Sequence, residues 1–198
     1  MRPSRAASAA YLRAFAEIVR RIERAIGKSG KGKRAGPVRM YVAGGAAMHL
    51  YTGARISADI DASLSHRVLL PDDLEVAYRD VDGSARLLYF DRQYNDTFGL
   101  MHEKAYDDSM KLELDSVDSR MIEVRLLSPL DLAVSKLSRF AEHDREDIGA
   151  LADLGLIDAA ALKKRAAEAL VGYVGDPKRV ERSTRLACSL VRERTAGK

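Results

Sequence analysis

One stretch, from Tyr41 to Leu64, constrains the fold more than any other part of the chain. It begins with apolar residues typical of a strand, breaks at Gly44 and Gly45, and continues through a segment of helical length. It then returns to a strand that contains Asp59-Ile60-Asp61. Because successive side chains of a strand point to opposite faces, Asp59 and Asp61 are expected on one face, about 6.6 Å apart along the backbone.

Two carboxylates on one face repel each other unless a cation lies between them. Hard divalent cations take oxygen ligands, so a carboxylate pair without Cys or clustered His predicts Mg²⁺ or Mn²⁺. The glycines add an anion site, because backbone without a Cβ lets a phosphate approach and the following helix start offers N–H groups. Each motif alone is common in turns or acidic strands, but their combination predicts a nucleoside triphosphate (NTP) and its metal.

The pattern Gly-Gly, spacer, Arg55-x-Ser57-x-Asp59-Ile60-Asp61 resembles the signature of the nucleotidyltransferase superfamily of polymerase beta type. Within it, the chain is most similar to small bacterial nucleotidyltransferases of abortive-infection (AbiEii-like) toxin–antitoxin systems. The resemblance covers about residues 38–155. It implies an enzyme that moves a nucleoside monophosphate from an NTP to an acceptor, with Arg55 and Ser57 among the nucleotide-binding residues. For the toxin enzymes the implied acceptor is RNA, such as a tRNA 3′ end, and the implied protein partner is a cognate toxin or antitoxin.

A second similar place is the segment Met110 to Asp115, whose apolar and charged residues alternate as in a strand. In families of this type the sheet supplies a third carboxylate and a lysine near the triphosphate. The resemblance therefore implies Lys111 as the phosphate-facing cation and Glu113 as the third metal ligand, with Asp115 and Glu123 as rivals. An ordinary amphipathic strand with a solvated charged face is the structural alternative.

A third similar place, Ser128 to Arg139, begins with a helix-start pattern of Ser128, Pro129 and Asp131. In the resembled toxins a segment with Asp and a following Lys contributes to the active site, which implies Asp131 and Lys136 as site residues. Capping of the helix explains Asp131 equally well. A fourth place, His143 to Ile148, contains Asp144 and Asp147, which fit an N-cap and its capping box better than a chemical role.

The predicted fold class is α+β: a small mixed β-sheet nucleotidyltransferase core with flanking helices and a helical C-terminal extension. Three segments are expected: a basic N-terminal helix and linker (1–36), the core (37–155) and the extension (156–198). The further predicted elements are a helix from Ser8 to Ile26, a linker from Gly27 to Pro37, a short helix starting at Pro71, strands from Arg86 to Phe90 and Arg120 to Leu127, a loop from Asp91 to Asp108, and tail helices from Ala159 to Tyr173 and from Lys178 to about Arg194.

Charge is unevenly distributed along the chain, although the total is only +4. Residues 1–36 carry a balance of +8 and residues 163–198 a balance of +6, which leaves −10 for the middle. Basic ends attract polyanions such as RNA. Solvated amphipathic helices explain the same charge pattern.

The sequence also excludes several classes of protein. It has no run of 18 apolar residues, so no membrane span is expected. A single cysteine, Cys188, excludes an internal disulfide and fits a reducing cytoplasm. Three alternatives to transfer onto RNA stay open: nucleotidylation of a protein or small molecule, a non-catalytic module that binds RNA or a partner chain, and a DNA-binding regulator that uses the tail helices.

Overall fold

The structure, a computed structural model, describes residues 7–29, 36–95 and 99–196. The central residues of the expected linker (30–35) and Phe98 of the expected loop lie outside them. The chain divides into two compact units, which combine Met1–Tyr94 with Ser109–Leu126, and Asn95–Asp108 with Leu127–Lys198. None of their junctions coincides with the divisions expected after residues 36 and 155.

The described part of the first unit contains two α-helices and seven short strands. The helices are α1 (Ala9–Ser29) and α2 (Gly44–Thr52). The strands are β1 (Val38–Val42), β2 (Asp59–Ile60), β3 (Ala62–Leu64), β4 (Glu75–Arg79), β5 (Ala85–Phe90), β6 (Met110–Lys111) and β7 (Ile122–Leu126).

These strands form two small sheets. In the first, the order is β3-β1-β7-β6, with β1 parallel to β7 and the other neighbours antiparallel. In the second, the order is β2-β5-β4, with β2 parallel to β5 and β4 antiparallel to β5. This mixed pairing, together with the helices, confirms the α+β prediction.

Helix α1 belongs to the core of the first unit. Its apolar residues at helical spacing, including Phe15, Ile18 and Ile22, are fully buried, while Arg13 and Arg20 are exposed. The helix packs against β4 and β5. The basic N-terminal helix is therefore amphipathic in the usual sense, with its arginines toward solvent.

The described part of the second unit is helical. Its elements are α3 (Pro129–Ser135), α4 (Glu142–Asp153), α5 (Ala159–Ala169), a 3₁₀ turn (Leu170–Gly172) and α6 (Pro177–Ala196). Ser128 caps α3 by accepting the Asp131 N–H at 3.0 Å, and Asp158 caps α5 by accepting the Ala161 N–H at 2.8 Å. Gly155, with a φ of +65°, ends α4. The Ser128 cap confirms the helix start that the sequence predicted there.

Three local predictions are wrong. No helix starts at Pro71, because the alternating residues of Glu75–Arg79 pair with β5 instead. The strand expected from Met110 to Asp115 is regular only over Met110–Lys111, although the Leu112 N–H still donates to the Val124 carbonyl at 2.9 Å.

The third concerns Asp144, which is the third residue of α4 and not its N-cap. Its carboxylate accepts the N–H of the actual N-cap residue, Ala141, at 2.9 Å. The predicted capping interaction thus exists, but the N-cap residue of the helix is Ala141, three residues before Asp144.

Across the described residues, no helix combines the length and the apolar character needed to cross a membrane.

Candidate active site

The turn from β1 into α2 requires glycine at position 44. Gly44 has a φ of +54°, a conformation that residues with a side chain rarely adopt. A Cβ built there would overlap the Asp61 carboxylate and lie 2.7 Å from its Cγ. The backbone of Gly44 therefore lies directly against Asp61.

Gly45 approaches Ser57 in the same way. A Cβ on Gly45 would overlap the Ser57 hydroxyl and lie 3.5 Å from a guanidinium nitrogen of Arg55. The buried Ser57 hydroxyl donates to Oδ1 of Asp59 at 2.5 Å. The structure thus brings together Gly44, Gly45, Ser57, Asp59 and Asp61, with Arg55 beside them.

The start of α2 offers backbone N–H groups to an anion. Its N-cap residue, Ala43, makes no side-chain capping hydrogen bond. The Ala43 N–H donates to the Asp61 carbonyl at 2.8 Å, which fixes the helix start beside the aspartates. Because the N-terminal end of a helix carries partial positive charge, phosphate oxygens are favoured there.

The strand that carries the aspartates is interrupted at Asp61. Asp59 and Ile60 form β2 in the second sheet, and Ala62 begins β3 in the first sheet. Asp61 therefore lies where the chain passes from one sheet to the other. Both Asp59 and Asp61 are half-buried, whereas Ile60 is fully buried, as its place between the aspartates predicted.

A further carboxylate, Asp91, directly follows β5, the strand that pairs with β2. Asp59 is paired with Tyr89 in the parallel register of β2 and β5, and Ile60 with Phe90. The Asp91 N–H donates to the Ile60 carbonyl at 3.1 Å, so the ladder extends to the level of Asp61. Parallel strands lie about 4.8 Å apart, so the backbone of Asp91 lies beside that of Asp61. Its Oδ1 accepts the Gln93 N–H at 2.8 Å.

The sequence reasoning missed Asp91. The sequence contained one indication of this residue: Asp91 directly follows the predicted apolar strand that ends at Phe90. Choosing it required knowing that β5 pairs with β2.

Lys111 and Glu113 lie toward the other edge of the four-stranded sheet. Lys111 pairs with Arg125 on β7, and β3 lies three strand positions away, about 14 Å at the usual strand spacing. The Lys111 ammonium is 2.9 Å from the exposed Glu113 carboxylate, which raises the pKa of the lysine. Of the two rivals, Asp115 is exposed and Glu123 is paired with Arg125 at 2.9 Å.

A buried polar cluster lies in the same unit. His49 of α2 is 4% exposed, and its ring meets that of Tyr11 edge-on at 4.5 Å. Burial lowers the pKa of His49, against the opposing effects of Asp80 and the Arg55 backbone. Burial likewise raises the pKa of Tyr11, helped by Tyr78 and by the charge of Asp59. The sequence reasoning did not single out this cluster.

In the second unit, Asp131 is held by several partners. Arg165 binds both of its carboxylate oxygens, at 2.7 and 3.0 Å, and also binds Asp108 at 2.7 Å. The Ser128 hydroxyl donates to Asp131 at 2.6 Å. The Asp131 hydrogen bond chiefly raises the pKa of Arg165, although burial opposes it. Asp131 therefore completes the α3 cap and anchors α5.

Lys136 forms a buried ion pair in the same unit. Its ammonium is 2.6 Å from Asp147 and 3.8 Å from Asp144. Burial would raise the pKa of Asp144, but hydrogen bonds from Arg139 and the Ala141 N–H, with the charge of Lys136, lower it. Lys136 thus pairs with the buried Asp147, while Arg139 binds Asp144 at 2.7 Å.

The donors at the α2 start fit a hard divalent cation. Asp59 and Asp61 supply carboxylate oxygens, and a carboxylate-bound Mg²⁺ keeps positions for water and phosphate oxygens. Within residues 7–29, 36–95 and 99–196, no cluster of three or more His, Cys, Asp or Glu side chains is arranged as a metal site.

Comparison with known proteins gives one finding. A family model described as "nucleotidyltransferase of unknown function (DUF6036)" matches residues 25–188, which is most of the chain. Searches of curated proteins and of solved structures gave no match.

Proposed function

Since the chain belongs to this family of nucleotidyltransferases, we propose that it moves a nucleoside monophosphate from an NTP to an acceptor hydroxyl in a metal-dependent reaction. One observation supports this most: the start of α2 lies against the carboxylate of Asp61 with no room for a side chain at Gly44. A site of that form combines backbone donors for phosphate with acidic oxygens for a cation.

The residues at the α2 start have separate roles in this proposal. The N–H groups from Gly44 and Gly45 onward bind phosphate oxygens, and Arg55 adds positive charge at the same place. Ser57 holds Asp59 in position through its hydrogen bond. Asp59 and Asp61 hold Mg²⁺ or Mn²⁺. When bound, the metal neutralises charge on the phosphates and on the leaving oxygen.

The third carboxylate is a choice between two residues. We favour Asp91 over Glu113, because the β2–β5 register aligns Asp91 with Asp61 while Glu113 is paired with Lys111. In the reaction, the acceptor oxygen forms a bond to the α-phosphorus. The bond between that phosphorus and the oxygen that bridges it to the β-phosphate breaks. Pyrophosphate leaves, and the hydroxyl proton passes to a carboxylate, for which Asp91 is our candidate.

Lys111, Asp131 and Lys136 enter the proposal through the resemblance alone. Lys111 is the candidate for a cation that neutralises the triphosphate. The buried ion pairs of Asp131 and Lys136 support a structural role, and a chemical role is separable from it by kinetics. A structural residue changes stability with little effect on the rate of folded enzyme, whereas a catalytic residue lowers kcat.

The acceptor we propose is RNA, with a tRNA 3′ end as the specific candidate implied by the resembled toxin enzymes. The chain would then act as the toxin-type enzyme of a toxin–antitoxin pair in the cytoplasm, with a cognate antitoxin as partner. Protein or small-molecule nucleotidylation, and a non-catalytic binding module, are the competing functions.

The test incubates the purified full chain with each of four α-labelled NTPs, Mg²⁺ and total tRNA. Two variants accompany it: Asp61→Asn at the site and Asp72→Asn at an exposed carboxylate of the same unit. We expect label on RNA with the native chain and with Asp72→Asn, and none with Asp61→Asn. Label on the protein itself would favour protein nucleotidylation. Absence of transfer together with absence of Mg²⁺-dependent nucleotide binding would leave a non-catalytic module.

A further inference from the structure

A groove of about 530 Å³ lies between α5 and α6 in the second unit. Apolar parts of Ala167 and Leu170 line it, and so do three cationic side chains: Lys163 from α5, and Arg185 and Arg192 from α6. All three cations are exposed. Glu181 is the acidic residue among those that line it, so the groove carries a net positive charge.

The three groove cations lack an acidic partner within the described residues, as do Arg179 and Arg182 of α6, which do not line the groove. Arg165 binds Asp131, and Arg194 binds Asp153 at 3.0 Å. By contrast, Lys163, Arg185 and Arg192 form no ion pair within the part of the chain that the structure describes. Unpaired cations that converge on one groove are available to an external anion.

The spacing of these cations suits a ligand with repeated negative charges. Arg185 and Arg192 are seven residues apart on one helix, which puts them on the same face with a separation of about 10.5 Å. Lys163 lies on the opposite wall. The positive charge of these side chains acts on Cys188, which also lines the groove. Burial raises the pKa of the Cys188 thiol, and the charges of Arg192 and Lys163 lower it.

We propose that this groove binds the phosphate backbone of single-stranded RNA, and that this RNA is the acceptor of the transfer. The second half of this inference rests on the proposed function. Guanidinium groups match phosphate geometry through paired hydrogen bonds, and the apolar floor accommodates the riboses and bases between phosphates. A concave groove with charges on both walls surrounds a strand, whereas a membrane surface requires a flat or convex basic face.

The test measures binding of a fluorescently labelled single-stranded oligouridylate to the full chain over a series of KCl concentrations. The test variant is Arg185→Glu. The matched control is Arg182→Glu, because Arg182 is exposed on the same helix and does not line the groove. Both variants change the net charge equally. A triple variant with Lys163→Gln, Arg185→Gln and Arg192→Gln tests the set.

We expect Arg185→Glu to weaken RNA binding about tenfold at low salt, with a much smaller effect of Arg182→Glu. The triple variant should lower the slope of log K against log salt by about 0.7 for each lost phosphate contact. Equal weakening by both charge reversals would overturn the proposal, because it would indicate a non-specific charge effect. Tighter binding of polyglutamate than of RNA would also overturn it, in favour of an acidic protein partner.

A separate measurement distinguishes this inference from the proposed function. Calorimetry with NTP and Mg²⁺ should give the same affinity for the native chain and for Arg185→Glu. If nucleotide binding is absent while RNA binding still depends on Arg185, the proposed transfer fails and the RNA-binding groove stands. If nucleotide binding is present but RNA binding does not depend on Arg185, the groove proposal fails alone.

Discussion

Replacement of Gly44 by alanine tests the candidate site through its tightest contact. Two costs are expected. Holding a residue with a Cβ at a φ of +54° costs roughly 1–2 kcal/mol. The new Cβ would also lie 2.7 Å from Cγ of Asp61, so the carboxylate or the helix start must move, at roughly 1–3 kcal/mol. The alanine lowers the entropy of the unfolded chain, which offsets about 0.4–1 kcal/mol.

Gly83 offers a matched control in the same unit. Its φ is +81°, and a Cβ built there would meet no atom within 4 Å. Gly83→Ala therefore carries the backbone cost without the clash. We expect a loss of about 1 kcal/mol of unfolding free energy for Gly83→Ala and about 2–4 kcal/mol for Gly44→Ala.

Urea unfolding measures both losses, and calorimetry with NTP and Mg²⁺ measures the site. Gly44→Ala should lose Mg²⁺-dependent nucleotide binding because Asp61 is displaced, whereas Gly83→Ala should retain it. Equal losses of stability in the two variants, with nucleotide binding intact in Gly44→Ala, would refute the inferred contact between the α2 start and Asp61.

Three further predictions concern ionisable side chains that are buried or half-buried. Lys136→Met should lower the free energy of unfolding by about 3–5 kcal/mol in urea, because the buried Asp147 loses its ion pair with Lys136 while Asp144 keeps the one with Arg139. Lys164→Met at an exposed position should change it by less than about 0.5 kcal/mol. Burial lowers the pKa of His49, so as the pH falls the unfolded chain takes up the proton on this imidazole at a higher pH than the folded chain does. The free energy of unfolding should therefore fall as the pH drops below about 6.5. His49→Phe should flatten that part of a plot of urea midpoint against pH. Unchanged steepness would show that His49 is not the group responsible. Arg165→Lys keeps the charge but loses the paired hydrogen bonds to Asp131, and should cost about 1–3 kcal/mol in urea unfolding; a neutral result would mean that the ion pair does not anchor α5.

The parts of the fold that could be predicted depend on short stretches of sequence. The spacing of Phe15, Ile18 and Ile22 predicted α1, and the cap at Ser128 predicted the start of α3. These signals act within a few residues, so one sequence contains them in full. The glycines and aspartates of the candidate site could be proposed for the same reason, because they all lie between β1 and β3.

What could not be predicted depends on which strands pair. Asp91 comes beside Asp61 only because β5 pairs with β2, across about 30 residues of chain. The residues after Pro71 resemble a helix start, but no helix forms there because the alternating residues of β4 pair with β5. Likewise, the buried ion pairs of Asp131 and Lys136 form only because α3 packs against α4 and α5, which carry their partners. No local pattern in the sequence predicts that packing.

The most direct test of the central claim compares the two ends of one nucleotide. The native chain is incubated with Mg²⁺, RNA and the transferred NTP, labelled either at the α-phosphorus or at the γ-phosphorus. Nucleotidyl transfer predicts that the α-label appears on the acceptor and the γ-label appears only in pyrophosphate, with both signals lost in Asp61→Asn. Transfer of the γ-label to the acceptor, or release of either label at the same rate by Asp61→Asn, would contradict a nucleotidyltransferase site at Asp59 and Asp61.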